Sequence, residues 1–266
     1  MTQISILGCG WLGLPLAQSL VQNQFRVNGS TTSKNKISVI KNCNITPFLI
    51  ELNEDAFDGN FEGFLANSNI LIIDIPPKLR GNSTEKFVTK IKNTIPLIEK
   101  SGVTKVIFVS STSVYPDDNS IVNHLTIPKP DSESGRQLLE VEKLLQSNPS
   151  FKTTVLRFGG LIGNDRHPIK MLAGKTGIAN PDASVNLIHQ NDCILILQKI
   201  IKTDSFGKTY NAVAPQHPTR KDYYTTKAIE FNMPAPEYYH SKPSVGKTIL
   251  SDFLVVDLNF EFTTKI

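Results

Sequence analysis

Cysteine is scarce: the 266 residues hold three, Cys9, Cys43 and Cys193, odd in number and far apart. That excludes a disulfide framework and matches no zinc-ligand spacing, so no metal is expected and a reducing, cytoplasmic setting is. Long runs of like charge are also missing, and the formal net charge is only +4. With no basic arm or patch, neither nucleic acid nor a membrane surface is an expected partner. No apolar run reaches the length needed to span a bilayer, and the opening MTQISILGCG carries no basic stretch ahead of an apolar one. Neither export nor anchoring is therefore expected. There is no internal repeat and no low-complexity linker.

What is present is a regular alternation of short apolar runs with helix-like stretches, the pattern of a parallel sheet with crossover helices. Strands are predicted at Ile4 to Leu7, Phe25 to Ser30, Pro47 to Glu51, Ile70 to Ile75, Lys105 to Ser110 and Thr153 to Phe158. Helices are predicted at Trp11 to Val21, Glu85 to Ser101, Glu133 to Gln146 and Asp192 to Lys202. Beyond Pro215 the pattern weakens, with Pro234, Pro236 and Pro243 interrupting it. The expectation is an α/β chain with a Rossmann-type, doubly wound parallel sheet and a small C-terminal substrate lobe. Residues 1–163 and 184–214 would form the sheet domain, and 164–183 with 215–266 the lobe.

Between the first predicted strand and helix stands Gly8-Cys9-Gly10-Trp11-Leu12-Gly13, a complete GxGxxG. In that position the glycines have distinct roles. Gly8 permits the tight turn, Gly10 lets a pyrophosphate approach the backbone, and Gly13 lets helix and strand pack closely. The helix N-terminus adds free N–H groups and the positive end of a dipole. The segment is read as a dinucleotide cradle, with Trp11 and Leu12 as part of it. The second strand ends near Thr31, where NAD-selective sites carry an acid for the ribose 2′-hydroxyl. None is present; Thr31-Thr32-Ser33-Lys34-Asn35-Lys36 offers hydroxyls and two cations instead. These suit a 2′-phosphate, so NADP is the expected cofactor, with NAD the alternative.

Three further segments stand out: Val106 to Tyr115 (VIFVSSTSVY), Leu156 to Gly163 (LRFGGLIG) and Val185 to Asp192 (VNLIHQND). With the glycine motif, they make residues 1 to about 225 resemble the short-chain dehydrogenase/reductase superfamily, in its atypical or extended, NAD-dependent epimerase/dehydratase-like branch. The resemblance implies that Ser111 is the hydroxyl that contacts the substrate. It also implies a Tyr acid with a Lys four residues on, and here the pattern breaks. Ser134-Gly135-Arg136-Gln137-Leu138 aligns with Tyr-Gly-x-Ser-Lys, putting Ser134 at the Tyr position and Leu138 at the Lys position, with Glu142 as the acid that commonly follows. An alcohol is a far weaker acid than a phenol of pKa about 10, and Leu offers no charge, so Ser134 is expected to be inactive.

Asn164-Asp165-Arg166-His167-Pro168 also departs from the resemblance, standing where Pro-Gly-Arg is usual. Arg166, His167 and His189 are candidate contacts for an anionic substrate such as a nucleotide sugar. Alternatively, Asn186, His189 and Asp192 form a hydrogen-bond network at the junction between lobes. Gly10, Pro76, Ser111 and Gly159 are expected to border one crevice beyond the carboxyl ends of the strands. Replacement proton donors are Tyr115, His167, Tyr223 and Tyr224. Two functions follow: an NAD(P)-dependent oxidoreductase or sugar-nucleotide epimerase/dehydratase-like enzyme acting on a small molecule, or a catalytically degenerate NADP-binding sensor. The oligomeric state is left open.

Overall fold

The run Ile70-Leu71-Ile72-Ile73 is apolar throughout and wholly buried, as a strand covered on both faces must be. It lies at the centre of a seven-stranded sheet in the computed structural model, which describes residues 2–79, 84–239 and 241–266. The strands are β1 (Gln3–Leu7), β2 (Arg26–Thr31), β3 (Thr46–Leu49), β4 (Ile70–Ile73), β5 (Lys105–Ser111), β6 (Lys152–Phe158) and β7 (Thr209–Ala212). Their order is β7-β6-β5-β4-β1-β2-β3, and every pair runs parallel. The fold is therefore the expected α/β, Rossmann-type doubly wound sheet. The chain winds outward from β1 in one direction, then returns to β4 and winds in the other. The crevice where the direction reverses, between β1 and β4, is where ligands of such sheets bind.

The principal helices are α1 (Gly13–Gln22), α2 (Phe87–Lys92), α3 (Ile95–Lys100), α4 (Glu133–Gln146), α5 (Gln190–Lys202), α6 (Arg220–Glu230) and α7 (Asp252–Leu258). One buried cluster joins Leu16 and Leu20 of α1, Ile196 and Ile200 of α5 and Leu254 and Leu258 of α7 to one face of the sheet. A second joins Phe87, Ile98, Leu138, Val141 and Leu145 to the other face. Where α4 begins, the Ser132 hydroxyl accepts the Gly135 N–H at 3.1 Å, a side-chain cap at the start that the sequence predicts.

Three expectations need correction. The single helix expected over Glu85 to Ser101 is two, α2 and α3. Pro96 has no N–H and its ring opposes the carbonyl four residues earlier, while the buried Thr94 hydroxyl bonds the Ile91 carbonyl at the break. Six strands were expected and seven occur; β7 (Thr-Tyr-Asn-Ala) is four residues long and alternates too little to register as a strand. The stretch expected over Pro47 to Glu51 ends at Leu49, after which Glu51–Leu52 pairs antiparallel with Phe57–Asp58.

A third, smaller cluster gathers Ile162, Ile169, Val185, Leu187, Tyr223, Tyr224 and Ala228 beside the sheet. The chain's last helix does not join it: Leu254, Leu258 and Phe260 lie in the first cluster. Among the described residues no helix is long and apolar enough to cross a membrane.

Candidate functional site

Gly8 leaves β1 with φ +108, a conformation that L side chains rarely adopt, and a Cβ there would lie 2.4 Å from the Asp74 carbonyl oxygen. The turn is held to β2 by the Gly8 N–H on Ser30 Oγ at 2.9 Å and the Cys9 N–H on the Ser30 carbonyl at 2.7 Å. A Cβ on Gly13 would come within 2.1 Å of the Gly8 carbonyl, so helix and strand touch backbone to backbone. Gly10 is different: a Cβ there meets nothing within 4 Å. Among the described residues, nothing accepts a hydrogen bond from the N–H of Trp11 or Leu12 at the start of α1. Two closed glycines and one open one, beside unpartnered helix N–H groups, make a cradle shaped for an anion.

The cradle opens into a cleft of ≈ 280 Å³. Gly8, Cys9 and Gly10 form its floor, with Pro76 and Pro77 beyond the end of β4. Thr31, Thr32 and Lys36 form the wall past β2. Ser33 and Lys34, expected in the same phosphate site, lie outside the lining residues, as do Trp11, Leu12 and Gly13. Sequence reasoning missed the adjoining lining residues Ile50, Glu51, Leu52 and Asn53, the first of which bonds its N–H to the Thr31 carbonyl at 3.0 Å, and the pair Glu85–Lys90. These residues carry no motif of their own.

Asp74 was missed as well. It follows β4, and its Oδ2 lies 3.0 Å from where a Gly13 Cβ would stand. Desolvation lifts its pKa to about 8, the Gly13 N–H offsetting part of the rise. The folded chain thus retains a proton that the unfolded chain releases. Between about pH 4 and about pH 8 the unfolding free energy is expected to fall as pH rises, then to level off. Denaturant titrations across that range, compared with Asp74→Asn, check this: the variant's profile should be flatter, and a parallel profile would show that Asp74 is already ionised.

Ser111 ends β5 half-buried, and its Oγ accepts the Ser113 N–H at 3.1 Å, capping the short turn Thr112–Val114. An oxygen that accepts this bond keeps its own hydrogen free to donate. Ser134 lies in the first turn of α4, half-buried. The next residue brings the helix onto the same turn, since a Gly135 Cβ would be 2.3 Å from the Ser113 carbonyl. Leu138, at the Lys position, is 4% exposed and packed in the core. Of the four residues expected around one crevice, Gly10 and Pro76 line the cleft, whereas Ser111 and Gly159 do not.

Tyr115 is 1% exposed and committed elsewhere. Its hydroxyl donates to Asn211 Oδ1 at 2.9 Å and accepts from Arg157 at 2.6 Å. Arg157 in turn forks onto the Glu142 carboxylate, which also takes the Ser110 hydroxyl at 2.5 Å. This buried chain ties β5, β6, β7 and α4 together behind the turn that follows Ser111.

His167 sits in the small cluster and away from the cleft. Its Nδ1 accepts the Ile169 N–H at 3.2 Å, so in the neutral ring Nε2 carries the hydrogen and donates to the Tyr223 hydroxyl, 2.9 Å away. Burial lowers its pKa to about 4, which keeps it neutral. Burial also raises the phenols of Tyr223 and Tyr224, the latter to about 12. His189 caps α5 through the Asn191 N–H at 3.2 Å. Asn186 holds the Lys247 carbonyl and the Ile249 N–H, and Asp192 takes both N–H groups of Thr263 and Thr264. Asn186 and Asp192 therefore fasten the C-terminal segment, each independently of His189. Arg166 stacks over the Trp11 ring at 5.0 Å. Among the described residues, no group of three His, Cys, Asp or Glu side chains is placed to hold a metal ion.

No family model matches the chain. Protein YeeZ of Escherichia coli strain K12 is 32% identical over 266 residues, covering 98% of this chain and 96% of that protein. Among solved structures, the UDP-glucuronic acid 4-epimerase of Bacillus cereus in complex with NAD superposes with a TM-score of 0.83 at 17% identity, covering 99% of this chain and 93% of the other. A short-chain dehydrogenase/reductase superfamily protein of Agrobacterium tumefaciens with bound NAD gives a TM-score of 0.80 at 13% identity, covering 99% and 93%.

Proposed function

Because the chain belongs to the family of Escherichia coli YeeZ, within the NAD-dependent epimerase/dehydratase-like branch of the short-chain dehydrogenase/reductase superfamily, we propose that it binds a nicotinamide dinucleotide in the cleft beside the glycine turn. The observation that carries this reading is the contrast among the three glycines: Gly8 and Gly13 are closed by backbone contacts, and Gly10 alone opens onto free space. The pyrophosphate would lie over Gly10 and take the free N–H groups of Trp11 and Leu12.

NADP is the preferred form. No acid ends β2, and Thr31, Thr32 and Lys36 wall the cleft where the 2′-phosphate would lie. Lys36 lines the cleft and Lys34 does not, so Lys36 carries most of the preference. Calorimetric titration is expected to show tighter binding of NADPH than NADH, with Lys36→Ala weakening NADPH by about tenfold and leaving NADH nearly unchanged. Lys34→Ala should do less. Equal affinities of the unaltered protein for the two cofactors would remove the NADP assignment, and binding of neither would remove the dinucleotide reading.

The chemistry that fits is oxidation–reduction or epimerisation of a small hydroxyl- or carbonyl-bearing substrate, a nucleotide sugar being the leading class. Ser111 would orient it with its free hydrogen. Ser134 lacks the lysine four residues on that would assist it, because Leu138 stands there and packs in the core. Leu138 is also what favours the second reading, a dinucleotide-binding sensor without turnover. Purified protein with NADPH, screened against carbonyl compounds and nucleotide sugars for loss of nicotinamide absorbance, separates the two. A cytoplasmic setting suits the three free cysteines. The substrate lobe is proposed as 164–183 and 215–266 less the stretch from Asp252, whose Leu254 and Leu258 pack in the sheet's core.

A further inference from the structure

Trp11 stands inside the glycine motif, yet its indole packs on the turn 163–166, where the chain leaves the sheet domain. The indole Nε1–H donates to Asp165 Oδ1 at 2.8 Å. A Cβ on Gly163 would lie 2.7 Å from the ring, so the ring rests directly on that backbone. The Trp11 carbonyl accepts from Gln190 Nε2 at 2.6 Å. The turn is closed on itself by reciprocal bonds, Gly163 N–H to the Arg166 carbonyl at 2.8 Å and Arg166 N–H to the Gly163 carbonyl at 3.1 Å.

On this platform lies Arg166, exposed, its guanidinium carbon 5.0 Å from the centre of the Trp11 ring. Among the described residues it makes no ion pair and no side-chain hydrogen bond. Stacking engages the face of a guanidinium and leaves the N–H donors around its edge free. A cation with uncommitted donors is thus parked on the side chain of the residue whose own N–H faces the anion cradle.

We propose that Arg166 is a ligand of the dinucleotide's pyrophosphate, held beside the glycine turn on the face of Trp11, and that this is its role in preference to a substrate contact. The proposal rests on the dinucleotide reading above. It also makes the turn 163–166 a link between two sites. His167 and Ile169, which follow it directly, are packed into the small cluster, so an anion that engages Arg166 ties the cofactor to the part of the chain that would cover the substrate.

Trp11 is the chain's single tryptophan, so its fluorescence reports on this clasp alone. NADPH, ADP-ribose and inorganic pyrophosphate would each be titrated against the unaltered protein, Arg166→Ala and Arg166→Lys, with affinities checked by calorimetry. Unaltered protein should change its fluorescence with all three. Arg166→Ala should bind NADPH and ADP-ribose about tenfold more weakly, with a shallower dependence on salt. Arg166→Lys should fall between, because charge is kept and the flat stack is lost. Thermal unfolding of both variants should match the unaltered chain, since the side chain is exposed. An Arg166→Ala protein that binds NADPH and ADP-ribose at full affinity overturns the proposal and leaves the dinucleotide reading standing. So does one that loses affinity only for a nucleotide sugar such as UDP-glucose. Unaltered protein that binds no dinucleotide overturns both.

Discussion

Glu142→Leu is expected to lower the free energy of unfolding by about 3–5 kcal/mol, the cost of leaving a buried charge without its partner. The Glu142 side chain is 1% exposed and that of Arg157 7%, and the two share a forked contact whose shortest arm is 2.6 Å. Removing the carboxylate strands the guanidinium between β6 and α4, and it also takes the acceptor from the Ser110 hydroxyl. Urea denaturation checks the size of the loss. Adding Arg157→Met to the same chain should recover most of it, because a buried pair replaced on both sides by apolar groups of similar volume is often nearly neutral. A double variant no more stable than the single one would mean that the ion pair is not the source of the penalty, and that the lost contacts of Tyr115 and Ser110 are.

Gly10→Val should leave the fold intact and reduce dinucleotide affinity by about a hundredfold or more, because the new side chain would stand where the pyrophosphate must approach. The two effects separate cleanly here. Nothing lies within 4 Å of a Cβ at Gly10, whereas one at Gly13 would strike the Gly8 carbonyl at 2.1 Å. Gly13→Ala is accordingly expected to lower the melting temperature, and Gly10→Val to leave it unchanged. Calorimetry with NADPH, paired with thermal unfolding, reads both. A stable Gly10→Val protein with undiminished affinity would mean that the cradle lies elsewhere.

The first strand, the glycine turn and the first helix were legible because three independent signals coincide within twenty-odd residues: an apolar run, spaced glycines and a four-residue leucine period. Helix α4 was read to the residue, since Ser132 caps its start and Leu138, Val141 and Leu145 mark its buried face. What escaped had weak local signals. Strand β7 owes its place to its register with β6, as Asn211 opposite Arg157, which only the folded chain brings about. Helix α6 carries two buried tyrosines among charged residues, and α7 is short; both depend on the surfaces they meet more than on their own period. The same holds for the cleft. Gly8 to Gly13 announce themselves, while Asp74 and the wall from Ile50 to Asn53 are assembled by the return from β3 to β4. The partners of the candidate proton donors were hidden for a related reason: a His or Tyr is visible in a sequence, but the Arg157 that bonds Tyr115 and the Tyr223 that bonds His167 are not.

The burial of Leu138 bears on how this chain can change. A site with another residue where its superfamily usually has a lysine is often pictured as one substitution from repair. Here the reverse step, Leu138→Lys, would push an ammonium group into the buried cluster that holds Val114, Val141 and Phe108, where desolvation opposes its charge. The neighbouring packing would have to loosen first, and each loosening step costs stability before any chemistry returns. The route back is closed by the core itself, and any activity this protein has or acquires must be assembled without a lysine at this position.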